Sequence, residues 1–499
     1  MLQDILAKPR GRDVLQAVLD CHKNAAAEER VKMEDYKRKY PNEEWWKSIR
    51  HGFKWSEPAK LLLKRGIAEN PHGILTQLKS RGLLEKAGDG AEQLYRITYP
   101  QIIADAIEGS SNKQGSVTAQ NESAINELSH IEWMDKAYNG ALTDVMSQRL
   151  EDAVSFGERF DARVLKAYLQ DMFGPVLYFD TILALVHQYA MGDVEMLSPN
   201  NKVTNYTGFN LAFFGPPGTG KTFAIDDMIR GNRRLGVPPH GIPGRNRYCG
   251  GITPVQFIRM GEAYHDRKFN FVVPEFNDWF KDRGMVEPLK LAMEHREVKY
   301  ETTRLTVGPY KFSSFFSVNY NVHTSESGYR VTVSDPNFNA LEDRMLCRLH
   351  KWTKDRFRAI DKSAMNLELG KLHFDLARSI RKHLVLMHGV ATKHPLVSDT
   401  FSYKPVMIDE DIYELFSKAN DQILSRVTKV NFSTRLRSRA IKLACAISLM
   451  EYFRSEEKVL YLTPTAKEFA LRFYLEEVGT RVGGKFDSRG IALSLGLDV

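Results

Sequence analysis

The sequence predicts an α/β fold with a helical lid, preceded by an α-rich N-terminal region. Three observations point to it. From residue 203 onward apolar strands alternate with helical segments, as a sheet covered by helices requires. A glycine-rich loop at 215–222 joins one of those strands to a helix. After about residue 365 the chain turns mostly helical. The expected units are an N-terminal region over 1–108, a linker over 109–123, a core with its leading helices over 124–365, a lid over 366–480 and a tail over 481–499.

At 499 residues the chain exceeds one simple domain. With 43% hydrophobic and 26% charged residues it can bury a sizeable core. No run approaches the ~18 apolar residues of a membrane span. The start, Met1-Leu2-Gln3-Asp4, lacks the basic-then-apolar layout of a signal peptide. Cys21, Cys249, Cys347 and Cys445 lie far apart and form no CxxC pair. That argues against a zinc knuckle or a disulfide framework and fits a reducing compartment. A soluble cytoplasmic protein without a membrane partner is expected. The formal charge of +8 leans towards an anionic partner, nucleic acid first.

Residues 1–50 read as charged helix. Ser56 is placed to cap a helix through Leu61, Leu62 and Leu63, with Pro58 tolerated in its first turn. His72 to Arg81 carries Ile74, Leu75 and Leu78 at helical spacing, and Gly82 is a C-cap signal. Leu83-Leu84-Glu85 reads as extended, Gly88-Asp89-Gly90 as a turn, and Leu94 to Thr98 as an alternating strand. Two helices followed by a two-stranded wing resemble the winged-helix domain. Its recognition helix would present Thr76, Gln77, Lys79 and Arg81 to DNA, although winged helices also dock proteins. Gly109 to Ser116 reads as linker.

Gly215-Pro216-Pro217-Gly218-Thr219-Gly220-Lys221-Thr222 follows the apolar run Phe209 to Phe214 and opens a helix at Phe223. This is the strand–loop–helix setting of a P-loop. Its glycines let backbone N–H groups turn onto phosphates at a helix N-terminus. Lys221 would reach the β- and γ-phosphates of ATP, and Thr222 would ligate Mg²⁺. A second apolar run, from Phe269, ends at Pro274-Glu275-Phe276-Asn277-Asp278. A strand ending in an acid is what a metal-and-water site needs beside a P-loop. Glu275 is the candidate to polarise the attacking water. Pro274 stands where a metal-binding Asp is expected, which leaves Asp278 as the spare carboxylate for Mg²⁺.

A third apolar run ends in Asn319 and Asn321; Asn319 is the first choice to orient water or touch the γ-phosphate. Arg344, within Leu341 to Arg348, could serve a neighbouring subunit's nucleotide as a finger. Arg435 lies in the first turn of a helix that Thr434 would cap, poised to meet a phosphate. Either arginine cluster also reads as a solvated helix face.

The order of P-loop, acidic strand end, Asn strand end, arginine and helix-borne arginine resembles that of the AAA+ ATPases. Leu291-Ala292-Met293-Glu294 and the strands after it resemble the minichromosome-maintenance (MCM) helicases, where an AME segment leads into a β-hairpin before the sensor Asn. Gly251-Ile252-Thr253 is similar to that family's GLT, Glu275-Phe276 to its DEF, and Ala340 to Arg344 to its ALLSR finger segment. Thr434-Arg435-Leu436 through Ala446, with Leu462-Thr463-Pro464, is similar to its lid helices. The resemblance spans about 170–480.

It implies an AAA+ P-loop core with a helical lid, self-associating into a ring, a hexamer, with ATP between subunits. Lys221, Thr222 and Glu275 would lie on one side and Arg344 would reach in from the next subunit, with catalytic roles for Asn319, Arg344 and Arg435. A pore hairpin around 298–308 would touch DNA through Lys299 and Arg304, because the family's lysine position reads Thr302. Pro274, the short stretch between Thr253 and Phe271, and the lack of N-terminal zinc and oligonucleotide-binding modules all depart from that family. MoxR-like remodelling ATPases share the hairpin and the AME-like segment. The expected function is an ATP-driven DNA helicase or translocase. The alternatives are a MoxR-like protein remodeller and a slowly hydrolysing, nucleotide-switched DNA-binding platform.

Overall fold

The structure, a computed structural model, describes residues 5–6, 8, 10–39, 52–80, 83–87, 94–98, 100, 103, 119–280, 284–301, 306–321, 324–325, 328–329, 341–427, 433–482 and 486–496. Contacts divide the chain into two units, Met1–Glu122 and Ser123–Val499.

The smaller unit runs α1 (Gly11–Lys39), β1 (Phe53–Lys54), α2 (Glu57–Lys64), α3 (His72–Ser80), β2 (Leu84–Lys86) and β3 (Leu94–Ile97). Its strands form an antiparallel sheet ordered β1-β3-β2, with Phe53 opposite Tyr95 and Leu84 opposite Ile97. Apolar residues at helical spacing on α1 (Val14, Leu15, Val18) and on α3 (Ile74, Leu75, Leu78) bury against these strands. Ser56 occupies the cap position of α2, but its hydroxyl makes no capping bond; Pro58 sits in the first turn as expected. Arg81, Gly82, the 88–90 turn and the 109–116 linker lie outside the described residues.

In the larger unit α4 (Ala119–Gln148), α5 (Leu150–Arg159) and α6 (Ala162–Ala190) lead into β4 (Glu195–Leu197) and β5 (Val203–Tyr206). Strands β6 (Asn210–Gly215), β7 (Asn246–Tyr248) and β8 (Asn270–Val273) follow, then the hairpin β9 (Glu297–Glu301) and β10 (Thr306–Lys311). Next come β11 (Phe315–Asn321), the short pair β12 (Thr324–Ser325) and β13 (Gly328–Tyr329), and β14 (Met345–Leu349). Five of these make one parallel sheet in the order β14-β6-β11-β8-β7. All six residues of β6 are buried, which is why it reads as an unbroken apolar run rather than an alternating one.

Helices cover the sheet and extend beyond it. They include α7 (Met228–Arg230), α8 (Pro254–Ala263), α9 (Val286–Met293), α10 (Lys354–Glu368), α11 (Ala377–Ala391) and α12 (Pro395–Ser398). The remaining ones are α13 (Glu410–Leu424), α14 (Arg435–Ser448), α15 (Pro464–Val482) and α16 (Ser488–Ser494). The helix α6 begins at an Asp161 cap that accepts from the N–H groups of Arg163 and Val164, and it is interrupted at Gly174, where φ is 72°. It is the one helix among the described residues long and apolar enough to cross a membrane, and 67% of its apolar stretch is buried inside the core. That is the place of a core helix. The four cysteines are free and buried.

Candidate functional site

Strand order builds the site. Because β11 lies between β6 and β8, Asn319 sits opposite Phe213 on one side while Val318 sits opposite Val273 on the other. The carboxyl ends of three strands therefore bring the 215–222 loop, Asn319 and the turn holding Glu275 to one crevice, where open parallel sheets take their ligands. Gly218 (φ 79°) and Gly220 (φ 83°) give the loop a left-handed backbone closed to ordinary side chains. A Cβ on Gly220 would meet nothing within 4 Å, so conformation, not crowding, calls for glycine there. A π-helical turn, Phe223–Asp227, carries the chain on into α7.

Lys221 is 3% exposed and donates to the carbonyls of Gly215 (2.9 Å) and Pro216 (2.6 Å). Burial pushes its ammonium down to about 8, against the opposing pull of Glu275. Asn319 donates through Nδ2 to the Thr222 hydroxyl at 2.8 Å. Its Oδ1 is buried without a hydrogen-bond partner, an arrangement that costs about 1–3 kcal/mol unless something donates to it. Asn321 is used differently. Its backbone N–H donates to Asn277 Oδ1 (2.8 Å) and its carbonyl accepts from Asn277 Nδ2 (3.2 Å), tying the end of β11 to the turn after β8. Of the two asparagines, Asn319 is the one at the 215–222 loop.

Pro274 is buried one residue past the end of β8, so the ladder loses no donor to it. Glu275 follows it and is exposed. Asp278 lies in the 3-10 turn Phe276–Phe280, its Cβ 3.9 Å from where a Cβ on Gly251 would stand. Among the described residues no group of three or more His, Cys, Asp and Glu could hold a metal. A nucleotide nonetheless fits the donor set: a glycine cradle, a buried lysine, a threonine hydroxyl and an unpaired amide oxygen converge. Mg²⁺ would be held there by Thr222, the phosphates and water, supplying charge neutralisation. Beside Gly220 an apolar cavity of about 250 Å³, lined by Phe173, Leu177, Phe223, Leu235, Ile360 and Leu367, has room for part of a ligand.

The arginines stand elsewhere. Arg344 directly precedes β14, and its guanidinium lies 2.5 Å from Glu294. Arg435 is 2.6 Å from Asp343. Both line an 830 Å³ cleft with Arg296, Lys311 and Lys442. Met345 is level with Asn210, the first residue of β6, whereas the loop begins at Gly215. At ~3.3 Å per residue the two ends are about 16 Å apart. Arg435 therefore meets Arg344's neighbour Asp343 and not the 215–222 loop. Thr434 makes no side-chain cap; Ser433 accepts from the Arg435 N–H instead (3.0 Å). Arg348, the other arginine of that segment, is buried between Asp180 (3.1 Å) and Glu476 and cannot reach a neighbour.

Lys299 is exposed on the hairpin and paired with Glu301 at 2.6 Å, a surface pair worth little. Val298, Val307 and Tyr310 bury the hairpin's other face, while Thr302 and Arg304 lie outside the described residues. On α3, Thr76, Gln77 and Lys79 are exposed as the spacing predicts. The Lys79 ammonium, however, folds back over the rings of Tyr95 (5.4 Å) and Trp55 (5.9 Å), and Gln77 accepts from Lys8 (3.4 Å).

Sequence reasoning overlooked the residues behind the loop: Asp180, His350 and Arg356, buried together against Thr219. The available signal was Asp180 itself, a lone acid in the apolar run Leu177 to Tyr189, which a buried helix keeps only with a partner. Neither protein-family models nor curated protein sequences yield a match to this chain.

Proposed function

We propose that this chain is an ATP- and Mg²⁺-dependent AAA+ ATPase of the MCM-like kind, working as a ring on DNA as a helicase or translocase. The observation that carries the reading is Asn319, bonded to Thr222 while its buried Oδ1 remains open beside the phosphate loop. That oxygen can accept a hydrogen bond from the attacking water, and Glu275 can take up the one proton the water releases. Lys221 and the N–H groups of the loop hold the β- and γ-phosphates. Arg344 and Arg435 share one basic cleft at the opposite ends of the strands, a placement suited to a neighbouring subunit's nucleotide. The helix–strand–helix–helix–strand–strand order of the smaller unit supports a winged helix, and the +8 charge supports DNA as partner.

The test is steady-state ATP turnover with and without single- and double-stranded DNA, together with the salt dependence of DNA binding. No DNA binding at low salt would favour a MoxR-like remodeller. Arg344→Ala should leave ATP affinity near wild type and lower turnover by at least about a hundredfold, since a finger acts on charge that develops in the transition state. Mixed rings should lose activity together; normal turnover by the variant would leave Arg344 a surface residue.

Pro274 favours slow turnover, because a proline has no carboxylate for Mg²⁺. Glu275→Gln should cut turnover by about 10²–10⁴-fold while ATP still binds. Pro274→Asp should leave the rate unchanged or raise it. Turnover that survives Glu275→Gln would transfer the role to Asp278.

A further inference from the structure

Behind the phosphate loop, a buried ionic cluster grips the loop by its backbone. Arg356, 5% exposed on α10, donates to the Thr219 carbonyl through both Nε (3.1 Å) and a terminal nitrogen (2.9 Å). The same terminal nitrogen lies 2.6 Å from Asp180 Oδ2 and 2.8 Å from His350 Nδ1. His350 Nε2 is 3.1 Å from Asp180 Oδ2, and Asp180 Oδ1 takes Arg348 at 3.1 Å. The protonation pattern follows from the partners. Arginine only donates, so His350 Nδ1 carries no proton, and in a neutral imidazole the proton then sits on Nε2. Burial pushes His350 down to about 4, against the pull of Asp180, and the imidazole is neutral at pH 7. Burial also works against the Asp180 charge, but the Arg356 and Arg348 guanidiniums hold that carboxyl well below the usual range.

Packing alone does not call for such a cluster, since apolar side chains fill a similar space at least as stably. What the cluster touches gives it a use. A trans peptide holds its C=O and the following N–H in opposite directions. With the Thr219 carbonyl fixed towards Arg356, the Gly220 N–H faces away from the cluster. Gly218 and Gly220 flank this stretch at positive φ, and glycine lets a peptide turn over at small cost. We propose that Arg356, held by Asp180 and His350, is a positioning residue that locks the Thr219–Gly220 peptide with its N–H turned to the β- and γ-phosphates of a nucleotide. The role rests on 215–222 being a nucleotide site.

Arg356→Lys tests it, because lysine keeps the charge and cannot donate twice to one carbonyl while serving Asp180. ATP and ADP binding are measured by titration, turnover by KM and kcat, and folding by thermal melting. A nucleotide affinity lowered about tenfold, with KM raised in proportion and kcat and melting midpoint kept, is the expected result; it corresponds to one charge-assisted bond lost equally from ground and transition states. A purely structural role would instead lower the melting midpoint and kcat at unchanged KM. If Arg356→Lys does not fold, Asp180→Asn decides, since it keeps shape and an acceptor but loosens Arg356, and it should shift KM in the same direction. Wild-type affinity in a folded variant overturns the positioning role alone. A wild-type protein that binds no nucleotide overturns the site itself.

Discussion

Lys221→Ala should weaken ATP binding more than a hundredfold while leaving the fold intact. The ammonium is the one cation carried by the 215–222 loop, and it is already buried at the place where phosphates would arrive. Truncating one partner of a buried, hydrogen-bonded charge pair costs about 2–5 kcal/mol, and about 3 kcal/mol corresponds to two orders of magnitude in affinity. Folding stability is affected by two terms of opposite sign. The carbonyls of Gly215 and Pro216 lose a donor, which destabilises. The cost of burying an ammonium, visible in its lowered pKa, disappears with it. Thermal melting separates the two effects. Wild-type protein at a hundredfold excess of ATP over Kd should gain about 2.7 kcal/mol of stability, and the variant under the same ATP concentration less than about 0.4 kcal/mol. A variant that keeps the ATP-induced rise in melting temperature would show that this loop is not the phosphate site.

How much of this was legible in the sequence follows from which forces act locally. Strands β6, β8 and β11 announced themselves because a central parallel strand is covered on both faces and so reads as an apolar run. The fifth strand, Met345–Leu349, did not, because Arg348 interrupts it. Its charge is tolerated only through Asp180 and Glu476, which are more than a hundred residues away on either side. The pairing of Arg435 with Asp343 is hidden for the same reason, since about ninety residues separate them. Adjacent hydroxyls defeated the cap assignment at α14. Thr434 and Ser433 are chemically equivalent there, and backbone geometry alone gave the bond to Ser433. Asn319 was the first choice from sequence, but the separate use of Asn321, whose backbone Asn277 claims, was not legible there.

Acid should unfold the larger unit at a pH well above the usual carboxylate range, near pH 5. Burial pushes five histidines far down: His240 and His350 to about 4, His187 and His383 to about 3, and His388 well below its ordinary value. Burial holds each neutral, and the rings of His240 and His383 are paired with the hydroxyls of Tyr168 (3.0 Å) and Tyr189 (2.9 Å). A histidine whose folded pKa lies below its unfolded value of about 6.5 gives stability that is present above pH 6.5. That stability is lost as pH falls towards the folded value, because the unfolded chain takes up the proton first. Glu477 acts in the opposite direction. Burial raises it to about 7, so the native state holds an extra proton between its unfolded value, about 4.5, and pH 7. Five histidines, less Glu477 alone or less Glu477 with the other raised carboxyls Glu342, Glu451 and Asp227, leave about one to four protons taken up on unfolding in mid-window. At about 1.4 kcal/mol per proton and pH unit, that is about 1–6 kcal/mol lost per unit, against a total stability of about 5–15 kcal/mol. His383→Phe isolates one contribution, since the ring sits among Phe156, Phe160 and Phe453. It should reduce the slope of stability against pH by about 1.4 kcal/mol per unit below pH 6, even if the loss of the Tyr189 bond lowers stability at neutral pH. Urea denaturation followed from pH 7.5 to 4.5 measures both. A stability that stays level down to pH 4.5 would mean that these histidines are not held neutral by the fold.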